Sequence, residues 1–91
     1  MLNETQKSGD KPDYFIDITG EVCPLTFVKT KLLLERARAG ETVLVRLKGA
    51  EPLANVPRAV RDHGHIVLEL APEDPGRDGP DAVHRLLIRK A

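Results

Sequence analysis

The sequence predicts a two-layer α/β (α+β) sandwich in the order βαβαββ, a four-stranded mixed sheet with two helices on one face. Three observations predict it. Short runs in which apolar residues alternate with polar ones recur four times, the period of strands. Two intervening stretches carry helical spacing, open near a proline and close at a glycine. The alternation leaves each strand apolar mainly on one side, so one sheet face needs cover and the other is freer. Ninety-one residues make one small domain. With no Trp and 3% aromatic residues, its core must be built from Leu, Val, Ile and Ala.

Residues 1 to 12 are almost entirely polar, too poor in apolar surface to offset the entropy of ordering, and read as a flexible tail before a domain over 13–91. Tyr14 to Ile18 alternates as the first strand, and Thr19-Gly20-Glu21 turns the chain. Pro24 suits the first position of a helix, which makes Cys23 its N-cap, and Gly40 is the expected end. At about 100° per residue, Phe27, Thr30, Leu33, Leu34 and Ala37 form one stripe and Leu25, Val28 and Leu32 a second, nearly opposite. The first persists through the helix and is assigned to the core, the second to the surface.

Val43 to Leu47 is the second strand, joined to the first as a βαβ unit that should cross right-handed. Gly49 to Leu53 reads as a connection. Asn55 is read as the cap of a second helix with Pro57 in its first turn, Val56, Ala59 and Val60 inward, and an end at Gly64. Ile66 to Ala71 alternates as the third strand. Residues 72 to 81, PEDPGRDGPD, read as a long hairpin loop, and Val83 to Lys90 closes the sheet.

Composition excludes several functions. Fourteen basic and fourteen acidic residues cancel, which removes the charge a general nucleic-acid binder needs, so no direct DNA binding is expected. The start of the chain is too polar for a signal peptide, and no apolar run approaches the roughly 18 residues that span a bilayer. No membrane insertion and a cytoplasmic location are therefore expected.

The single Cys excludes an internal disulfide and a Cys-cluster zinc site, leaving either an inert buried thiol or one reactive thiol. Its inferred place at a helix N-terminus sets it against unpaired N–H groups and the positive end of the dipole, which favour a thiolate. Lys29 and Lys31 add positive charge within two turns. His63, His65 and His84 do not have metal-ligand spacing and read as ordinary polar positions. Asp62 beside His63 reads as a solvated helix end, because sequence neighbours on a helix do not face each other. Arg85, Arg89 and Lys90 read as charge protecting a sheet edge, and Glu73 to Asp81 as a solvated acidic loop.

Asp17-Ile18-Thr19-Gly20-Glu21-Val22-Cys23-Pro24-Leu25, followed by Lys29-Thr30-Lys31 and Ala39-Gly40-Glu41, resembles the TusA/SirA family of small sulfur-carrier proteins. Glu51-Pro52, Asn55-Val56-Pro57, Gly64-His65 and Leu87-Ile88-Arg89-Lys90 extend the resemblance from about Tyr14 to the C-terminus. The family's βαβαββ order agrees with that read from periodicity. One position departs: the family pattern is Cys-Pro-x-Pro, and here Thr26 stands in the fourth place.

The resemblance implies a sulfurtransferase that acts as a persulfide relay. Cys23 would accept sulfane sulfur from a donor protein of cysteine desulfurase or rhodanese type and pass it to an acceptor protein. The site residues it suggests are Cys23, with Pro24, Leu25 and Thr26 at the helix start. Leu25, Val28, Lys29, Lys31 and Leu32 are the expected docking surface; no cofactor or metal is implied. It admits tRNA thiolation, molybdenum-cofactor maturation or sulfur metabolism downstream. The rival reading is a non-catalytic interaction or regulatory module of the same fold, in which the leucine-rich stripe docks a protein and Cys23 is incidental.

Overall fold

The computed structural model describes residues 12–21, 25–74, 76–77 and 79–91. Its elements are β1 (Tyr14–Asp17), α1 (Leu25–Arg36), β2 (Thr42–Leu47), α2 (Ala50–Asp62), β3 (Ile66–Pro72) and β4 (His84–Arg89). The sheet order is β1-β2-β4-β3, with β1 and β2 parallel and the other two pairs antiparallel. This is the expected mixed sheet in the expected βαβαββ order. The tail read over residues 1–12 lies outside the described residues except for Pro12.

Alternation explains where the core sits. Val43, Val45 and Leu47 of β2 and Leu86 and Ile88 of β4 are fully buried and cluster with Ile18, with Leu34 and Ala37 from α1 and its end, and with Val56 and Val60 of α2. Alternate strand residues point to opposite faces, so both helices cover one face, and the core is wholly aliphatic. Leu44, Arg46, Arg85, Leu87 and Arg89 fall on the other face.

Several boundaries differ from expectation. Helix α1 ends at Arg36, four residues before Gly40. The Ala37 N–H is shared between the carbonyls of Leu33 and Leu34, at 3.2 and 3.1 Å, a tightened last turn. Gly40, at φ +89°, instead turns the chain into β2.

Helix α2 begins at Ala50, so the segment expected as a connection forms its first turn. Pro52, not Pro57, is the early-turn proline, at the third helical position where an N–H has no intrahelical partner. Pro57 lies inside the helix and withholds a donor from the Leu53 carbonyl four residues back. Asn55 does not cap the helix; its Oδ1 accepts from Arg58 Nη2 at 2.8 Å. The expected end holds. Gly64 at φ +90° closes a Schellman motif in which His65 N donates to Val60 O and Gly64 N to Arg61 O.

Strand β3 does not show the burial alternation its sequence suggests. A register irregularity between Val67 and Glu69 and its edge position leave Ile66, Leu68 and Leu70 all exposed. Strand β4 runs between β2 and β3, so Arg85 and Arg89 protect no edge, contrary to expectation. Glu73, read as part of a solvated loop, is ion-paired to Arg46.

Candidate functional site at the start of the first helix

Cys23 and Pro24, with Val22, lie outside the described residues. What the structure places is everything around them in sequence: the turn that leaves β1 and the first turns of α1. Both stand at the C-terminal end of the parallel pair β1 and β2, where strand-to-helix connections of α/β folds commonly carry function.

The turn is heavily bonded. Asp17 Oδ1 accepts from the Thr19 N–H at 2.9 Å and the Thr19 hydroxyl at 2.7 Å. Glu21 N donates to Ile18 O at 3.0 Å. At the helix side, Lys29 Nζ meets Glu21 Oε2 at 2.6 Å, tying the end of the turn to the second turn of α1.

Helix α1 presents the two faces expected of it. Thr26, Thr30 and Leu34 are buried, Phe27 and Leu33 pack partly against the core, and the Thr30 hydroxyl donates to Thr26 O at 2.8 Å. Opposite them Leu25, Val28 and Leu32 are 46%, 42% and 56% exposed. A hollow of about 500 Å³, lined by Ile16, Lys29, Leu32, Leu33, Glu35 and Arg36, continues this apolar surface toward β1. Lys29 and Lys31 each have a carboxylate partner, Lys31 with Glu35 at 3.7 Å. The charge they bring to the helix is therefore largely balanced.

Sequence reasoning missed Arg46. It faces the uncovered side of the sheet, with Nη1 2.6 Å from Asp17 Oδ2 and Nε and Nη2 at 2.6 and 3.0 Å from the two carboxylate oxygens of Glu73. The two Thr19 hydrogen bonds, then Arg46, hold the Asp17 carboxyl below its ordinary value. Arg46 does the same to Glu73. The available signal was register: Asp17 and Arg46 are opposite one another on adjacent parallel strands, and opposite charges so placed attract.

His63 packs its ring on Phe27, with centroids 5.2 Å apart, and its Nδ1 lies 2.9 Å from Ala59 O. His65 Nδ1 accepts from Ala91 N at 3.2 Å, and His84 Nδ1 lies 2.8 Å from Ala82 O. Burial, then the nearby Lys90, pushes His65 below its ordinary value.

Residues 14–90 match the family model described as Sulfurtransferase TusA. The chain is 46% identical over 55 residues to a "Putative sulfur carrier protein" of Archaeoglobus fulgidus, covering 60% of this chain and 62% of that one. It thus spans less than two thirds of that relative's length. It is 34% identical over 79 residues to the "Putative sulfur carrier protein YedF" of Escherichia coli K12, covering 87% and 94%. A "Putative sulfur carrier protein" of Thermotoga maritima is 36% identical over 55 residues, 60% of this chain and 70% of that one.

Proposed function

Because the chain belongs to the TusA family, we propose that it is a sulfur carrier that holds sulfane sulfur as a persulfide on Cys23. The observation that carries this reading is that the chain's one cysteine lies within the family match, in sequence between a tightly bonded turn and a helix that exposes Leu25, Val28 and Leu32. The names of its relatives as sulfur carrier proteins support it.

The chemistry needs one thiol. The Cys23 thiolate attacks the terminal sulfur of a donor persulfide; a new S–S bond forms, the donor's S–S bond breaks and the donor leaves as a thiolate. An acceptor thiolate then attacks the outer sulfur held on Cys23, and Cys23 departs as the thiolate it was. The sulfur moves without net oxidation, so no cofactor enters. Donor proteins of cysteine desulfurase or rhodanese type and a thiol-bearing acceptor protein fit these two steps.

Docking falls to the exposed face of α1. Leu25, Val28 and Leu32 give a partner apolar surface to desolvate within reach of the cysteine segment, and a few such side chains dominate most interfaces. Among the described residues no helix is long and apolar enough to cross a membrane. We assign the proposed relay to the cytoplasm on chemical grounds, because a lone thiol stays reduced there.

Intact mass after incubation with a sulfane donor tests the reading. We expect a gain of one sulfur atom that reductant removes and that Cys23→Ala abolishes. No addition from several donors, with partner binding unchanged in Cys23→Ala, overturns it in favour of an interaction module.

A further inference from the structure

The sheet has two edges, β1 and β3. Strand β3 carries a register irregularity between Val67 and Glu69, a feature that discourages pairing with another chain. Strand β1 keeps a regular register against β2, and its one charged side chain, Asp17, is taken up by Arg46. The Ile18 N–H donates to Arg46 O. Alternation along β1 therefore turns the N–H and C=O groups of Phe15 and Asp17 away from β2, toward the open edge.

Apolar surface flanks that edge on both sheet faces. On the helix side lies the hollow of about 500 Å³, lined by Ile16 of β1 and by Leu32 and Leu33 of α1. On the other side Phe15 is 54% exposed. The charges around the hollow are unequally matched: Lys29 is held by Glu21 and Glu35 by Lys31, whereas Arg36 has no carboxylate partner among the described residues. Arg36 stands near the start of β1, since its carbonyl accepts from the Tyr14 hydroxyl at 3.5 Å. A cation suits the end of α1, and its fork remains open to an acid.

We propose that β1 is a docking edge for an extended segment of a partner protein, added antiparallel to β1 and carrying three residues in the order apolar, apolar, acidic. The first, opposite Ile16, fills the hollow. The second, opposite Phe15, exchanges both main-chain hydrogen bonds with it and covers its ring. The third, opposite Tyr14, brings a carboxylate to Arg36. A second copy of this chain fits worse: antiparallel pairing centred on Phe15 sets Asp17 of one copy against Asp13 of the other, and like charges directly opposite repel. Centring on Ile16 instead sets Asp17 against Phe15.

Hydrogen exchange and NMR shifts of the β1 amides test this, with a capped heptapeptide whose centre is leucine, valine and aspartate between threonines. At about 1 mM peptide, the Phe15 and Asp17 amides should shift and exchange more slowly. Methylating the valine amide removes the donor to Phe15 O and should abolish the effect; methylating the leucine amide, which faces away from β1, should not. Replacing the aspartate by asparagine should weaken binding to wild type about two- to fivefold and leave binding to Arg36→Met unchanged. No change at Phe15 and Asp17, equal protection by the valine-methylated peptide, or an aspartate effect that persists in Arg36→Met would overturn the proposal. Protection of the same amides without peptide, with a dimer in sedimentation, would overturn it in favour of a second copy. Sulfur loading enters no arm, so the result stands apart from the fate of the sulfur-carrier reading.

Discussion

Lys90, just beyond the end of β4, sends its ammonium 2.6 Å from the carbonyl oxygen of Leu34 in the last turn of α1. The same residue's backbone closes the Gly40–Glu41 turn, with Gly40 N donating to Lys90 O and Lys90 N to Glu41 O, each at 2.8 Å. One residue thus gives the Leu34 carbonyl, which already shares the Ala37 N–H, a second donor, complements the negative end of the dipole, and fixes the turn that separates α1 from β2.

Lys90→Met should keep the turn, which uses backbone groups, and lose the cap. The expected cost is about 1 kcal/mol, or a melting temperature lower by roughly 4–8 °C for a domain of this size. A melt of wild type and variant at one pH and salt concentration checks this; equal melting temperatures would mean that solvent replaces the ammonium without loss.

The two faces of α1 should separate function from stability. Leu25→Asp and Val28→Asp replace exposed side chains and should change stability by no more than about 0.5 kcal/mol while slowing sulfur transfer to a protein acceptor several-fold. Leu34→Ala, on the buried face, should cost about 2–5 kcal/mol. Denaturant titration beside a transfer assay reads both; a large stability loss in either Asp variant would reverse the assignment of faces.

Those faces were legible in the sequence because helical and strand periods are local properties. The stripe of Leu25, Val28 and Leu32 and the alternation of Val43, Val45 and Leu47 follow from spacing alone. The start of α2 was not legible: two prolines, Pro52 and Pro57, each suit a first turn, and choosing between them needs the packing that buries both. The order of strands also escaped, so the cations of β4 were read as edge protection although that strand is internal. The Arg46 cluster escaped for the same reason, since Glu73 reaches Arg46 only after β3 has folded back beside β4.

Acid should weaken the fold in two steps. His65 is held below its ordinary value by burial and by Lys90, so the folded state resists its protonation. Its contribution is complete above the unfolded value near 6.5 and is lost as pH falls through the lower folded value. Asp17 and Glu73 are also depressed; their contribution is complete above about pH 4 and disappears as pH drops through their folded values. A plot of melting temperature against pH should therefore decline first below about pH 6.5 and again below about pH 4. His65→Gln should flatten the upper step and Arg46→Met the lower one. A single acid step unaffected by either substitution would contradict the assignment.

Thr26 stands where its family pattern has a second proline, and the consequence concerns the thiol. If Cys23 caps α1 with Pro24 first, Thr26 is the third helical residue, and an N-cap side chain accepts from the second or third N–H. Threonine keeps that donor; proline lacks it. A charge-assisted hydrogen bond to the sulfur anion is worth up to about 1.5–3 kcal/mol, an upper bound of roughly one to two pKa units that solvent reduces. Helix α2 shows that this fold accepts the change in its backbone, because Pro52 is its third residue and is buried. We therefore expect Thr26→Pro to fold and to raise the Cys23 thiol pKa, and Thr26→Ser, which retains the N–H, to leave it nearly unchanged. Thr26 is fully buried, so both variants lose some packing, and Thr26→Ser serves as the control for that loss. Thiolate absorbance titrations of the three proteins, with far-ultraviolet circular dichroism to verify folding, give the answer. A folded Thr26→Pro protein with an unchanged or lower thiol pKa would show that the Thr26 N–H does not reach the sulfur.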